Sequence, residues 1–370
     1  MTDREALIAL NMLPKVGPVR VRRLLERFGN PQSILGAPES KTRAVNGVGP
    51  EMARILHRWE DHADLAAELA SAADRGINII TAADAVWPDP LCEMPDAPLL
   101  LYVWGDLLER DRHAIALVGS RRTTHYGRDC TKKLSFQIAH AGFTVISGLA
   151  RGIDTTAHEG ALAADGRTVA VLGSGLAQLY PPENLPLAEK IADGHGAVVT
   201  EFPLHQPPDK QTFPQRNRIV AGWCAGLVVV ECAARSGALI TANLAGEYGR
   251  QVFAVPGPID RPSSAGCNEL IRTGATLITD GAQVLEDLDH LPLAPPTRPD
   301  LYSPIPETDP ASLNSEEEAV LAQLDGQERS IDEIITAAGL PASTVSVTLL
   351  RLEMKRLAKQ LPGSYFVKTT

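Results

Sequence analysis

The chain has 370 residues, 44% of them hydrophobic, which is room for two or three ordinary globular domains. Against 35 Lys and Arg stand 45 Asp and Glu, so the net charge is −10 and a uniformly basic surface is excluded. No apolar run approaches the roughly 20 residues of a membrane span, and no apolar stretch follows a basic start as in a secretory leader. The five cysteines (Cys92, Cys130, Cys224, Cys232 and Cys267) form no CxxC pair, and no His or Cys cluster has metal-ligand spacing. They read as reduced thiols of a cytoplasmic protein without a metal.

Residues 1–60 read as a small helical domain. Leu13-Pro-Lys-Val-Gly17-Pro18 leads into a predicted helix over Val19–Phe28. Val45-Asn-Gly-Val-Gly49-Pro50 leads into another over Glu51–Trp59. This is the spacing of a helix-hairpin-helix. Such glycines either aim backbone N–H groups at a phosphate or only turn the chain. Residues 61–112 connect this domain to the next, with predicted strands at Ile77–Ile80 and Leu99–Trp104.

Residues 113–288 alternate β-rich apolar runs with helical stretches. Strands are predicted at His113–Val118, Phe143–Ile146, Thr168–Leu172, Ala197–Thr200, Ala225–Glu231, Val252–Val255 and Thr276–Ile278. Helices are expected from about Arg128 to Ala141 and after Asp154 through Ala164. That alternation means parallel βαβ units, an α/β chain with a Rossmann-like core. Ligands of such sheets bind beyond the carboxyl ends of the strands. Gly173 and Gly175 lack a third glycine at dinucleotide spacing, so NAD and other cofactors are not expected.

Residues 289–312 form a linker rich in proline and acid, a composition that stays extended. Residues 313–370 then read as three helices and a hairpin, a winged helix. Asn314 or Ser315 caps the first helix, Ser330–Ala338 is the second and Ala342–Leu357 the third. Lys359–Lys368 makes the wing around Pro362-Gly363. The basic residues of the third helix, Arg351, Lys355 and Arg356, come late, whereas base-reading residues of such helices come early. The negative charge is concentrated: residues 286–325 hold ten acidic groups and one arginine, while residues 113–280 are +1.

The strand ends carry the chemistry. Gly119-Ser120-Arg121-Arg122-Thr123-Thr124 follows the first core strand, Gly148-Leu-Ala-Arg151-Gly152 the second, and Lys210-Gln-Thr-Phe213-Pro-Gln-Arg216-Asn217-Arg218 precedes the fifth. A ring can stack a base of any identity, and a guanidinium fork matches two phosphate oxygens. Gly119 and Ser120 offer backbone and hydroxyl contacts. Ser236 and Gly237 open a helix in a phosphate-binding position. If Arg216 and Arg218 begin a helix they cannot face one ligand equally, and one of them then pairs with Glu201 or Glu231. Asp154 fixes its loop, since a carboxylate repels phosphate. His158 has no nucleophile near it in sequence and reads as structural.

Gly119-Ser-Arg121, Ser147-Gly-Leu-Ala-Arg-Gly-Ile-Asp154 with Ala157-His-Glu-Gly-Ala161, Ala170-Val-Leu-Gly173, Phe213-Pro-Gln-Arg-Asn-Arg218, Arg235-Ser-Gly-Ala-Leu-Ile-Thr-Ala242 and Val255-Pro-Gly257 closely resemble the DNA-processing protein A (DprA/Smf) family, from about Leu99 to Leu285. The resemblance implies an extended Rossmann-like fold, an N-terminal SAM-like domain, and often a C-terminal winged helix. It also implies a homodimer without catalytic residues that binds single-stranded DNA and loads the RecA recombinase onto it in natural transformation. The alternative is a nucleotide-binding enzyme similar to the nucleotide phosphoribohydrolases. Their Pro-Gly-Gly-x-Gly-Thr-x-x-Glu motif is here Ala234-Arg-Ser-Gly-Ala-Leu-Ile-Thr241, without the glycine run or the glutamate.

Overall fold

A computed structural model describes residues 1–288, 315–324, 329–354, 357–361 and 365–368. The chain divides into two compact units, residues 1–297 and 298–370. In the first, helices α1 (Asp3–Met12), α2 (Pro18–Phe28), α3 (Pro31–Leu35), α4 (Glu39–Arg43) and α5 (Pro50–His57) make the N-terminal domain. Thr2 and Glu5 close a capping box on α1, and Pro18 and Pro50 start α2 and α5. Ala6, Leu10, Val21, Leu24, Met52 and Leu56 share one core. Val16 and Val48, one from each glycine hairpin, lie in it too.

The stretch after it is not a mere connection. Helix α6 (Leu65–Asp74) leads to β1 (Asn78–Thr81), and α7 (Asp89–Cys92) to β2 (Leu100–Gly105). Both strands join the central sheet, β1 antiparallel to β2 and β2 antiparallel to β6 (Gly196–Thr200). The sheet has nine strands in the order β1-β2-β6-β5-β4-β3-β7-β8-β9. The remaining strands are β3 (Ala114–Val118), β4 (Thr144–Ser147), β5 (Thr168–Val171), β7 (Cys224–Val229), β8 (Gln251–Ala254) and β9 (Thr276–Leu277). From β6 to β9 every pairing is parallel.

Strands β3 to β6 are buried along their whole length, as a parallel sheet with both faces covered must be. Ile115 and Leu117 pack toward α8 (His125–His140) and α9 (Ile153–Ala163), with Leu134, Ile138 and Ala157. Ala114, Ala116 and Val118 belong to the opposite layer, with Ile219 and Trp223 of α11 (Thr212–Trp223) and Ala238 and Ala242 of α12 (Gly237–Glu247). The short helices α10 (Leu185–Lys190), α13 (Ala265–Arg272) and α14 (Gly281–Asp287) complete the unit. The fold is an extended Rossmann-like α/β sheet.

In the second unit α15 (Ser315–Leu321), α16 (Ile331–Ala338) and α17 (Ala342–Met354) surround Val320, Ile334, Val345 and Leu349. Strands β10 (Arg329–Ser330), β12 (Tyr365–Lys368) and β11 (Ala358–Leu361) make a small antiparallel sheet in that order. This is a winged helix. Lys355, Arg356, Pro362 and Gly363 lie outside the described residues.

Candidate nucleic-acid interface

Strand β3 pairs with β4 on one side and β7 on the other, so the chain winds outward from it in two directions. That reversal is where doubly wound sheets open a crevice. Here Glu231, just past β7, closes it. Its carbonyl accepts from Ser120 N at 2.7 Å, and its carboxylate accepts from Thr123 Oγ1 at 2.6 Å and Thr124 N at 2.9 Å. Burial raises the Glu231 pKa, but these hydrogen bonds outweigh burial and hold it below the usual range. The loop after β3 is therefore pinned at one end, and Arg121 reaches the loops after β4 and β5.

The result is a pocket lined by Arg121, Gly148, Ala150, Arg151, Tyr180, Pro181 and Phe213. The Arg121 guanidinium carbon lies 4.9 Å from the centre of the Phe213 ring. Phe213 is tilted 57° against Tyr180 with ring centres 5.9 Å apart, and Arg151 lies 5.8 Å from the Tyr180 ring. Cations over aromatic faces are favourable at this range. Arg151 also pairs with Glu183, both side chains about half exposed. Gly173 carries no Cβ because one would meet Phe213 Cδ1 at 2.8 Å. Phe213 rests on that glycine at the start of α11, and Thr212 Oγ1 ties the same turn to the Gly173 carbonyl.

Beneath the pocket sit buried charges. Arg216, 4% exposed, donates to the Val171 carbonyl, and its guanidinium fills the space a side chain on Gly148 would take. Burial raises the pKa of Asp154 and lowers that of Arg216, and each charge opposes the other's shift. Arg218, 8% exposed, is ion-paired with Glu201 and donates to the Asp96 carbonyl at 2.6 Å. Burial likewise raises the Glu201 pKa, opposed by Arg218.

The expectation that Arg216 and Arg218 present their guanidinium groups to a phosphate is thus not met: α11 turns both into the protein. Arg218 takes the expected Glu201 partner, and Glu231 is spent on the β3 loop. Asn217 is half-buried and accepts from Arg216 Nε at 3.1 Å. Thr124 is the N-cap of α8, which begins three residues earlier than its sequence pattern indicates. Gly119 packs against Ile153 and Glu231, and Gly152, at φ +82°, against the Ser120 carbonyl. Ser120 Oγ bonds the Arg122 backbone in a local turn. Arg122 and Lys210 are exposed. Ser236 caps α12 through Ala238 N at 3.2 Å, and neither it nor Gly237 lines the pocket. Of the expected residues the structure brings together Arg121, Gly148, Arg151 and Phe213. Tyr180 was not anticipated. An aromatic residue before Pro181-Pro182, in the loop that leaves the third core strand, was its signal in the sequence.

His158 is fully buried; its Nδ1 lies 2.6 Å from Thr168 Oγ1, whose hydroxyl donates to the Val145 carbonyl at 2.7 Å. That hydroxyl proton is committed, so Nδ1 is the donor and Nε2 a buried lone pair without a partner. Burial, helped by the Arg216 charge, pushes the imidazole down to about 3. The described residues contain no group of His, Cys, Asp and Glu suited to a metal, and no helix among them is long and apolar enough to cross a membrane.

The DNA recombination-mediator protein A family matches this chain over residues 78–289, and the DprA winged helix domain over residues 304–364. Protein Smf of Synechocystis is 33% identical over 385 residues, spanning 96% of each chain. Protein Smf of Escherichia coli is 39% identical over 298 residues, 78% of this chain and 76% of that one. DNA processing protein A of Streptococcus pneumoniae superposes with a TM-score of 0.66 at 34% identity, covering 78% of this chain and 98% of that one. DNA processing protein A of Helicobacter pylori, whose structure was described for its single-stranded DNA binding mode, gives a TM-score of 0.52 at 28% identity over 57% of this chain and 95% of that one. Sheet, winged helix and end-to-end sequence likeness agree: the chain belongs to the DNA recombination-mediator protein A (DprA/Smf) family.

Proposed function

We propose that this protein binds single-stranded DNA with little regard to sequence, in the pocket of Arg121, Arg151, Tyr180 and Phe213, and passes it to RecA in natural transformation. The observation that carries the reading is the Arg121 guanidinium over the Phe213 ring, at the open end of the parallel strands. A base stacks on such rings whatever its identity, and the arginine is already placed for the adjoining phosphate. Arg122 and Lys210, both exposed on the flanking loops, extend the cationic track. The Helicobacter relative, described for its single-stranded DNA binding, supports the same ligand here. The RecA step, a homodimer and the absence of catalysis follow from the family resemblance, a cytoplasmic location from the unpaired cysteines, and all four stand as parts of this proposal. None of the residues lining the pocket is a Ser, Thr, Cys or His.

The test is a fluorescence-anisotropy titration with oligo(dT) and a mixed-sequence strand over a salt series. If about five phosphates are neutralised, log affinity falls against log salt with a slope near −3.5, since each contributes roughly −0.7. Both strands are expected to bind within a few-fold of each other. Absent binding, or affinity indifferent to salt, refutes the proposal.

A further inference from the structure

The chain's charge is strongly divided at its N-terminal end. Residues 13–58 carry nine Lys and Arg against three Glu, a net of +6, while residues 59–112 carry three Arg against twelve acidic groups. The cations are not scattered. Arg20, Arg23 and Arg27 recur at i, i+3 and i+7 on α2, so they share its exposed face. Arg54 of α5 and Arg58 just past its end are four residues apart, as Arg23 and Arg27 are, and are also exposed. Lys15 joins the two stripes: Arg20 donates to its carbonyl at 3.3 Å, and its ammonium meets Glu51, one turn before Arg54, at 2.8 Å. Arg23 lies across the second hairpin, 3.5 Å from the Asn46 carbonyl. Among the described residues Glu51 is the one carboxylate paired within this face, beside an exposed Glu26. Arg22, on the side of α2 toward the sheet, donates to the Pro95 and Ala97 carbonyls at 3.0 and 2.6 Å and fastens the domain to the core.

We propose that this face is a second nucleic-acid site and that its ligand is the sugar-phosphate backbone of duplex DNA. Arg20 and Arg27 are about 10 Å apart along the helix at 1.5 Å per residue, so the stripe meets successive phosphates rather than one. A duplex presents a charge about every 1.7 Å of its axis, a denser row than a single strand offers. No Phe, Tyr or Trp ring of this face is free to stack a base, because Phe28 and Trp59 pack against the domain core. It carries no array of amides to read base edges, so binding is indifferent to sequence. The site is separate from the Arg121 pocket and stands whether or not that pocket binds single strands.

The experiment uses the full chain and two probes, a 20-base-pair duplex and oligo(dT), in anisotropy titrations over a salt series. Two variants are compared with the parent: Arg20→Ala/Arg23→Ala/Arg27→Ala/Arg54→Ala, and Arg27→Glu/Arg54→Glu. Among the described residues neither Arg27 nor Arg54 makes a side-chain hydrogen bond or ion pair, and Arg54 acts on Glu51 only through its charge, so the second variant is expected to keep the fold. Four lost phosphate contacts lower the salt slope on duplex by about 3.6, and affinity near physiological salt by at least about tenfold. Affinity for oligo(dT) at the pocket changes far less. Arg121→Ala with Phe213→Ala gives the reverse pattern if the pocket reading holds, and its failure leaves the duplex result untouched. Duplex affinity unchanged in both arginine variants overturns the proposal. Binding of polyglutamate by the parent chain with no binding of duplex overturns it as well, and assigns the face to an acidic protein segment.

Discussion

Single residues decide which of the arginines can meet a ligand. Arg121 and Arg151 are exposed and sit over rings, whereas Arg216 and Arg218 are spent inside. Arg121→Ala is therefore expected to weaken binding of oligo(dT) by about 1.5–3 kcal/mol, the scale of a hydrogen bond to a charged group. Arg121→Lys recovers only part, because an ammonium is not a fork. Unchanged affinity in Arg121→Ala with the fold intact makes the arginine a structural residue. Glu183 works against the same site, holding Arg151 and setting a carboxylate beside the pocket. Glu183→Gln is expected to tighten binding of oligo(dT) two- to fivefold at low salt, a small gain because the pair is exposed. Added salt removes the gain. A variant that binds more weakly than the parent shows that Glu183 positions Arg151 instead of competing for it.

At the scale of elements, the parallel strands were legible because burial on both faces leaves continuous apolar runs, such as Val169–Leu172 and Leu227–Val230. Their ends were legible because glycine and arginine gather there. What the sequence did not disclose is orientation. Phe213, Arg216, Asn217 and Arg218 are neighbours in the chain, but one helix turn sends the ring to the pocket and the two guanidinium groups inward. Helices α3, α4 and α6 were missed because they are short or alanine-rich, without a strong periodic stripe. The α9–β5 contact shows how a residue read as structural acts. His158 is neutral when folded, with a pKa about 3, against 6.5 when exposed. Between those values the unfolded chain takes up a proton that the folded chain refuses. Stability is thus whole above pH 6.5 and falls as pH drops toward 3, by up to about 1.4 kcal/mol per pH unit. His158→Gln, which keeps a donor for Thr168, is expected to flatten this slope between pH 6.5 and 5 in denaturant titrations. Parallel slopes for parent and variant show that the imidazole is not held neutral.

For the whole molecule, the decisive fact is how unevenly charge is distributed. A chain of net −10 holds a near-neutral stretch at residues 113–280, a basic one at residues 13–58 and acidic ones at residues 59–112 and 286–325. Local potential, and not net charge, sets affinity for a polyanion. The residues proposed to touch single-stranded DNA all precede Asp289, and they lie in a compact unit with its own cores. Truncation after Asp289 removes eleven Asp and Glu against seven Lys and Arg. The shortened chain is expected to bind oligo(dT) at least as tightly as the full chain. The gain is largest at low salt, where the deleted carboxylates repel phosphate over the longest range, and fades near 0.15 M, where the Debye length is about 8 Å. Filament formation by RecA on strands coated with single-strand-binding protein, assayed in parallel, separates two roles of the deleted unit. Retained binding with lost filament formation places the RecA contact beyond Asp289. Lost binding moves the main single-strand site into the winged helix, and the assignment of Arg121, Arg151, Tyr180 and Phe213 then fails.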